Sequence, residues 1–252
     1  MRKLLITLLL TVMTLSTYSQ VGEHRDDLRI GFSGGYVLSN MQFTPKVTQS
    51  MHGGLTGGFT VRYTCEKYFK SICAIQAEIN YSQIGWKEKI LDANDVEVKN
   101  ADGEAMRFSR TINYLQVPIM AHLGWGREDK GMQFFFQAGP QIGLYISDSS
   151  DKNFEMSYAL SHIGERSNQV VAQDTMAIEN KFDYGITAGV GAEYSIPHAG
   201  HFILEARYYY GLGNIYGNSK RDYFGRSNFN NIVIKMTYLF DITRTKNKTN
   251  KN

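Results

Sequence analysis

Residues 131–147, GMQFFFQAGPQIGLYIS, alternate between two faces with scarcely a fault. Met132, Phe134, Phe136, Ala138, Pro140, Ile142, Leu144 and Ile146 share one parity; Gln133, Phe135, Gln137, Gly139, Gln141, Gly143 and Tyr145 share the other. A period of two marks a strand with one apolar face and one mostly polar face. The stretch is longer than the usual globular strand of about 5 to 6 residues. It suits a tilted membrane strand, which crosses the hydrocarbon in about 9 to 11 residues and can continue beyond it. Comparable stretches occur at 29–38, 54–65, 73–86, 107–125, 181–196, 201–213 and 229–242, so the pattern predicts eight strands.

The connections sharpen the picture. Those at 39–53, 87–106, 148–180 and 214–228 are long, those at 66–72, 126–130 and 197–200 are short, and the two kinds take strict turns. Such alternation predicts an all-β, eight-stranded antiparallel up-and-down barrel, with long loops at one end and tight turns plus both termini at the other. Outer-membrane barrels have this asymmetry, the short turns lying in the periplasm and the long loops outside the cell.

Face composition separates a lipid-facing wall from a soluble sheet. The apolar parity carries residues such as Phe32, Phe59, Ile79, Leu123, Ile186, Leu204 and Ile234, and no charge. A Lys or Arg at mid-bilayer would cost about 2 to 4 kcal/mol there. The opposite parity holds Gln76, Asn80, Gln137, Gln141, Thr187 and several glycines, together with three bases (Arg62, Arg207, Lys235) and three acids (Glu78, Glu193, Glu205). Balanced charges among amides and small residues fit a narrow lumen filled by side chains, in which ions must pair. Aromatic residues collect toward both strand ends, as interfacial girdles do. Tyr63, Trp125, Tyr194, Phe202, Tyr238 and Phe240 mark the short-turn end; Tyr36, Tyr81, Trp86, Tyr114, Tyr184 and Tyr210 mark the long-loop end. Pro118 and Pro140 sit awkwardly inside strands, where proline is confined to edges and bulges. A parity slip between Tyr114 and Leu115 suggests a bulge near Pro118.

Composition adds a destination. Beyond the first twenty of the 252 residues no apolar run approaches the roughly 20 that a membrane helix needs. The N-terminal MRKLLITLLLTVMTLSTYSQ has a basic start, an apolar middle and small residues at Thr17 and Ser19. It reads as a secretory signal cut near Ser19–Gln20. The expected organisation is a signal peptide at 1–19, a periplasmic segment at 20–28, a barrel at 29–242 and a basic tail at 243–252. The formal charge of +3 comes from the ends: Arg2 and Lys3 in the signal, and Arg244, Lys246, Lys248 and Lys251 in the tail, leave an acidic body between them. Nothing in that distribution marks a nucleic-acid surface.

The runs GGLTGGFTVRY (53–63), IQAEINYSQIGWKEK (75–89), INYLQVPIMAHL (112–123) and FFFQAGPQIG (134–143) resemble the PorT-like outer-membrane β-barrel family of Bacteroidetes. The resemblance covers most of the mature chain, and YLQVP and AGPQ look like strand motifs of that family. It implies an outer-membrane barrel of about eight strands, and a link to type IX secretion through the family's founding member.

Candidate chemistry is sparse. Cys65 and Cys73 flank the first short turn with the same parity, and an oxidising compartment favours a disulfide between them. His198 and His201 straddle the turn at 197–200, but no Cys or carboxylate completes a metal set, and a solvated turn is the expectation. His122 has lumen parity and reads as a hydrogen-bonded interior residue. Ser161, His162 and Glu165 lie together in the 148–180 loop, yet adjacency in sequence does not make a triad, and a polar loop is the simpler reading. That loop carries Phe154, Met156, Tyr158, Leu160 and Ile163, so it either folds over the barrel mouth, binds a surface partner or stays mobile.

The reading at this point is a non-enzymatic outer-membrane barrel with a packed lumen and no cofactor. Its surroundings are outer-membrane lipid, and its contacts are envelope or secretion proteins met through loop 148–180 or the periplasmic rim. An outer-membrane enzyme with a site at the extracellular rim and a secreted soluble ligand-binding barrel are the alternatives.

Overall fold

The computed structural model describes residues 22–128, 130–217 and 223–245; the expected signal peptide lies outside the described residues, as does most of the basic tail. The alternating stretches form β1 (Glu23–Thr44), β3 (His52–Tyr68), β4 (Ser71–Glu88), β5 (Phe108–Gly126), β6 (Gly131–Lys152), β7 (Phe182–Ile196), β8 (Gly200–Gly211) and β9 (Arg226–Thr243). A two-residue strand, β2 (Gln49–Ser50), leans on the end of β4. Each long strand pairs antiparallel with the next, and β1 closes the ring against β9 in a register that includes Ile30–Phe240 and Tyr36–Ile234. The fold is an up-and-down ring of eight strands.

Several strands outrun the alternation that announced them. β1 and β6 each have 22 residues. At about 3.3 Å per residue that is about 70 Å of strand, far more than a tilted crossing of a hydrocarbon layer about 30 Å thick requires. β1 starts at Glu23, inside the stretch expected as a periplasmic segment, and β6 runs through 148–152, expected as loop.

The polarity of the wall inverts with height. In the lipid zone the outward side chains are apolar, as at Phe32, Phe59, Ile79, Phe134 and Ile234, while the inward ones are polar or charged, as at Arg62, Glu78, Gln137 and Lys235. Above it, β4 turns Ile84 and Trp86 inward and Lys87 outward, and β1 turns Val37, Met41 and Phe43 inward. Lipid rewards an apolar exterior and water a polar one, so the same strand changes its solution where its solvent changes. Trp86 and Tyr114, placed in the outer girdle for being aromatic residues near strand ends, are therefore fully buried above the lumen rather than facing lipid. Tyr36, Tyr81 and Tyr184 do face outward at that end, and Tyr63, Trp125, Tyr194, Phe202 and Phe240 do so at the other.

Both prolines are accommodated by gaps in the ladder. The β4–β5 register passes from Ala77–Ile119 to Asn80–Gln116, and the β5–β6 register from Pro118–Gln141 to Ala121–Ala138, without a change of step. The missing N–H of each proline thus falls where the ladder is already open. The expected bulge lies elsewhere, between Asn113 and Tyr114, with Ile146 as the extra residue on β6. A second bulge, between Thr64 and Glu66, alters the cysteine expectation. It leaves Cys65 without a ladder partner and sets Cys73 opposite Glu66, and the two cysteines are free thiols rather than a disulfide.

Candidate functional site

Two layers fill the barrel. The lower layer is ionic and lies in the lumen. Arg207 of β8 reaches across to β4, Nη1 donating to Glu78 Oε2 and Nη2 to Glu78 Oε1, each at 2.9 Å. Arg207 Nη2 also meets Glu205 Oε1 at 2.6 Å. Lys235 Nζ lies 2.6 Å from Glu78 Oε2 and 3.1 Å from Glu205 Oε1. Amides complete the shell: Gln76 and Asn80 donate to Glu78 at 2.6 and 2.8 Å, and Gln137 donates to Glu205 at 2.5 Å. Two acids thus face two bases, with side-chain donors filling lone pairs that the ion pairs leave over. A buried pair needs such added bonds if attraction is to offset desolvation; here the carboxylate oxygens receive them, while Arg207 Nε has no partner among the described residues.

Toward the periplasm a second cluster joins β3 to β7. Arg62 Nη1 donates to Glu193 Oε2 at 2.5 Å and its Nε to Gln76 Oε1 at 2.8 Å, which ties the two clusters together. His201 does not lie in a solvated turn as expected. It is buried, with Nδ1 at 2.8 Å from Glu193 and Nε2 at 3.1 Å from Asp241. His198 remains in the turn, with φ at 66°. Arg29 Nε donates to Asp241 Oδ1 at 2.9 Å. Below these, Glu128 folds in from the β5–β6 turn and meets Lys67 at 3.0 Å, with Arg25 and Arg29 within 3.8 Å. His122 is buried, its Nδ1 at 3.3 Å from Gln137 Oε1 and its ring over Phe135. Gly191 makes room for Phe135, since a Cβ there would sit 2.4 Å from its ring.

All six lumen charges named from the sequence therefore belong to one connected set. Arg29, Asp241, His201 and Glu128 join them unforeseen. Arg29 was findable: it precedes outward Ile30, so its parity points inward.

The upper layer is an apolar dome. Phe43 packs against Trp86 at 5.3 Å and Phe224 at 4.9 Å, with Tyr216 and Phe108 beside them. The long loops supply the cover. Loop 153–181 contains a short helix, α1 (Met156–Ser161), and 3-10 turns at Ile163–Glu165 and Ala172–Asp174. Its Phe154, Ala159 and Ile178 are buried with residues of the strands and of the 89–107 and 212–225 loops. Polar pins hold the loops together. Asn100 Nδ2 donates to Asn153 O at 2.8 Å, Asn180 Nδ2 to Asn214 O and Tyr216 O, and Arg110 Nη1 to Met176 O at 2.5 Å. Of the three fates open to this loop, the structure shows the fold over the mouth.

Ser161 and His162 stand at the helix end, Ser161 Oγ 2.9 Å from His162 Nδ1. Both also reach the carbonyl of Tyr158, at 2.8 and 3.0 Å. A ring nitrogen bonded to a carbonyl carries its proton there and cannot accept one from the serine. Glu165 is engaged through its backbone N–H with His162 O. These are local end-of-helix bonds, not an aligned triad.

A family model for the outer membrane protein beta-barrel domain matches residues 18–217. The chain belongs to that family. No curated protein matches it. Among solved structures this outer-membrane barrel is similar to OprG of Pseudomonas aeruginosa, at 12% identity over 87% of this chain and 98% of that one, with a TM-score of 0.44. It is also similar to Neisserial surface protein A, at 9% identity over 86% and 100%, with a TM-score of 0.40. Ail, the attachment invasion locus protein of Yersinia pestis, matches at 11% identity over 84% and 98%, with a TM-score of 0.34. The protein is an outer-membrane β-barrel located in the outer membrane.

Proposed function

We propose that this barrel is a closed, non-enzymatic platform, which anchors an ordered dome at the cell surface and acts through contacts of that dome or of the periplasmic rim with other envelope components. The observation that carries this reading is the double filling of the interior. Arg207 and Lys235 neutralise Glu78 and Glu205 in the lumen, and the Phe43–Trp86–Phe224 cluster occupies the mouth above them. An eight-stranded ring is only wide enough for side chains, and here they are paired or packed in place. The exposed surface of the loops is then what remains to do work. Participation in type IX secretion is the more specific form of the reading, supported by the sequence runs that resemble the PorT-like family.

The test is to replace residues 154–179 with a short Gly–Ser connection in the native host and compare proteins co-purified from outer membranes. The reading expects a barrel that still assembles but loses specific partners. An unchanged set of partners and an unchanged surface phenotype would contradict it.

A further inference from the structure

The dome contains a contact that the packing of apolar groups does not explain. Glu88, at the extracellular end of β4, and Asp174, in the 3-10 turn Ala172–Asp174, are both more than nine-tenths buried, and their carboxyl groups meet within hydrogen-bond reach. Among the described residues neither oxygen of Asp174 has a donor. Glu88 Oε1 accepts from Gln173 Nε2 at 2.9 Å and faces Trp86 Nε1 at 3.4 Å. Two carboxylates cannot hydrogen-bond to each other; one of the pair must supply an O–H.

The charges around the pair point the same way. From the loop after α1, Arg166 approaches Asp174 Oδ2 at 4.0 Å, held over the Phe154 ring and against Met106 Sδ. From the end of β6, Lys152 acts on Asp174 from an exposed position. From β5, Arg110 is committed to Asp148 and to Met176 O. From the 212–225 loop, Tyr216 directs its hydroxyl to Gln173 O at 3.4 Å. Among the described residues of the buried cluster one guanidinium therefore faces two carboxyl groups. A single proton on the pair both provides the missing donor and brings the cluster to neutrality.

We propose that Glu88 and Asp174 share a proton, and that this proton fastens loop 153–181 to the end of β4 so that the dome is a pH-sensitive closure. Burial holds the Asp174 carboxyl up at about 6, and burial together with the Asp174 charge holds that of Glu88 well above the usual range. The sign follows from linkage. Carboxyls raised in the folded dome contribute stability that is complete below their ordinary values near 4, and that is lost as the pH rises through about 6 and beyond. The pair titrates as a unit, so the loss is that of the shared proton rather than of either residue alone. Once it leaves, two buried carboxylates repel across the contact that joins loop to wall. The device is independent of what the dome binds.

The full chain in liposomes tests this by amide exchange at about pH 5 and about pH 8, corrected for intrinsic exchange, with peptides from 84–92 and 153–181 read against 134–142 in the wall. The expected result is dome opening at least about tenfold greater at the higher pH, with the wall unchanged, since one pKa unit is worth a factor of ten. Glu88→Gln and Asp174→Asn each mimic a permanently protonated partner, and whichever folds should show the low-pH protection at both values. Equal corrected exchange in the wild type at the two pH values would overturn the proposal. Retention of the wild-type dependence in the amide variants would also overturn it, as would restoration of protection at pH 8 by calcium alone, which would assign the oxygens to a cation.

Discussion

Arg207 and Glu78 face each other from strands that stand four places apart in a ring of eight, joined by two parallel hydrogen bonds of 2.9 Å. Arg62 of β3 and Glu193 of β7 repeat the relationship one level nearer the periplasm. Two diameters of the barrel are thus spanned by ion pairs. The wall is held at a fixed width from within, as well as by its ladder.

Removing one partner should therefore be far worse than removing both. Glu78→Ala leaves Arg207 and Lys235 buried with one acid between them, and a loss of about 3 to 5 kcal/mol is expected. The double substitution Glu78→Met with Arg207→Met should cost markedly less than the sum of its singles. Urea unfolding in liposomes, followed by the gel shift of the folded barrel, gives the coupling; strict additivity would mean the pair is only a neighbourly contact.

The inversion of polarity along a strand predicts opposite tolerance at two heights of the same wall. Phe59→Arg places a charge in lipid and should cost about 2 to 4 kcal/mol. Thr44→Arg, on the exposed outer face of β1 above the membrane, should change stability by less than about 0.5 kcal/mol. The same unfolding assay reads both, and similar costs at the two positions would contradict the assigned membrane level.

Much of this architecture was legible in the chain. A strict period of two, a charge-free outward parity and alternating linker lengths carry the ring, because lipid and ladder each impose one simple rule on every strand. The lumen ions were legible for the same reason. The dome was not, since there a single parity serves two solvents. Trp86 has the parity of Glu78, and only the tendency of aromatic residues near strand ends to face lipid points it outward. Its burial depends on loops whose apolar residues, such as Phe154 and Ile178, follow no period. His201 was hidden differently: it stands beside a turn in sequence, but its partner Asp241 lies on β9 and Glu193 on β7.

The cysteines give a compact check on register. With Cys65 on a bulge and Cys73 opposite Glu66, protein purified without reductant and then denatured should take up two equivalents of a thiol reagent. Mass spectrometry distinguishes that from no uptake, which would show a bond and a rearranged bulge.

The Trp86 cluster offers a local probe of the dome. Phe43→Ala removes the ring that links Trp86 to Phe224, and a loss of about 3 to 5 kcal/mol is expected. With Trp125 replaced by Phe, Trp86 fluorescence alone reports the cluster and should shift to longer wavelength in the Phe43→Ala variant. An unshifted spectrum would place Trp86 outside the packed mouth.

Closure of the barrel is measured most directly as ion conductance across a planar bilayer. Because the lumen pairs lie beneath the dome, the intact protein and a variant lacking residues 154–179 should both be silent, and stepwise conductance should appear only when Glu78 and Arg207 are also truncated to Ala. Stable open channels from the intact protein would contradict a closed platform.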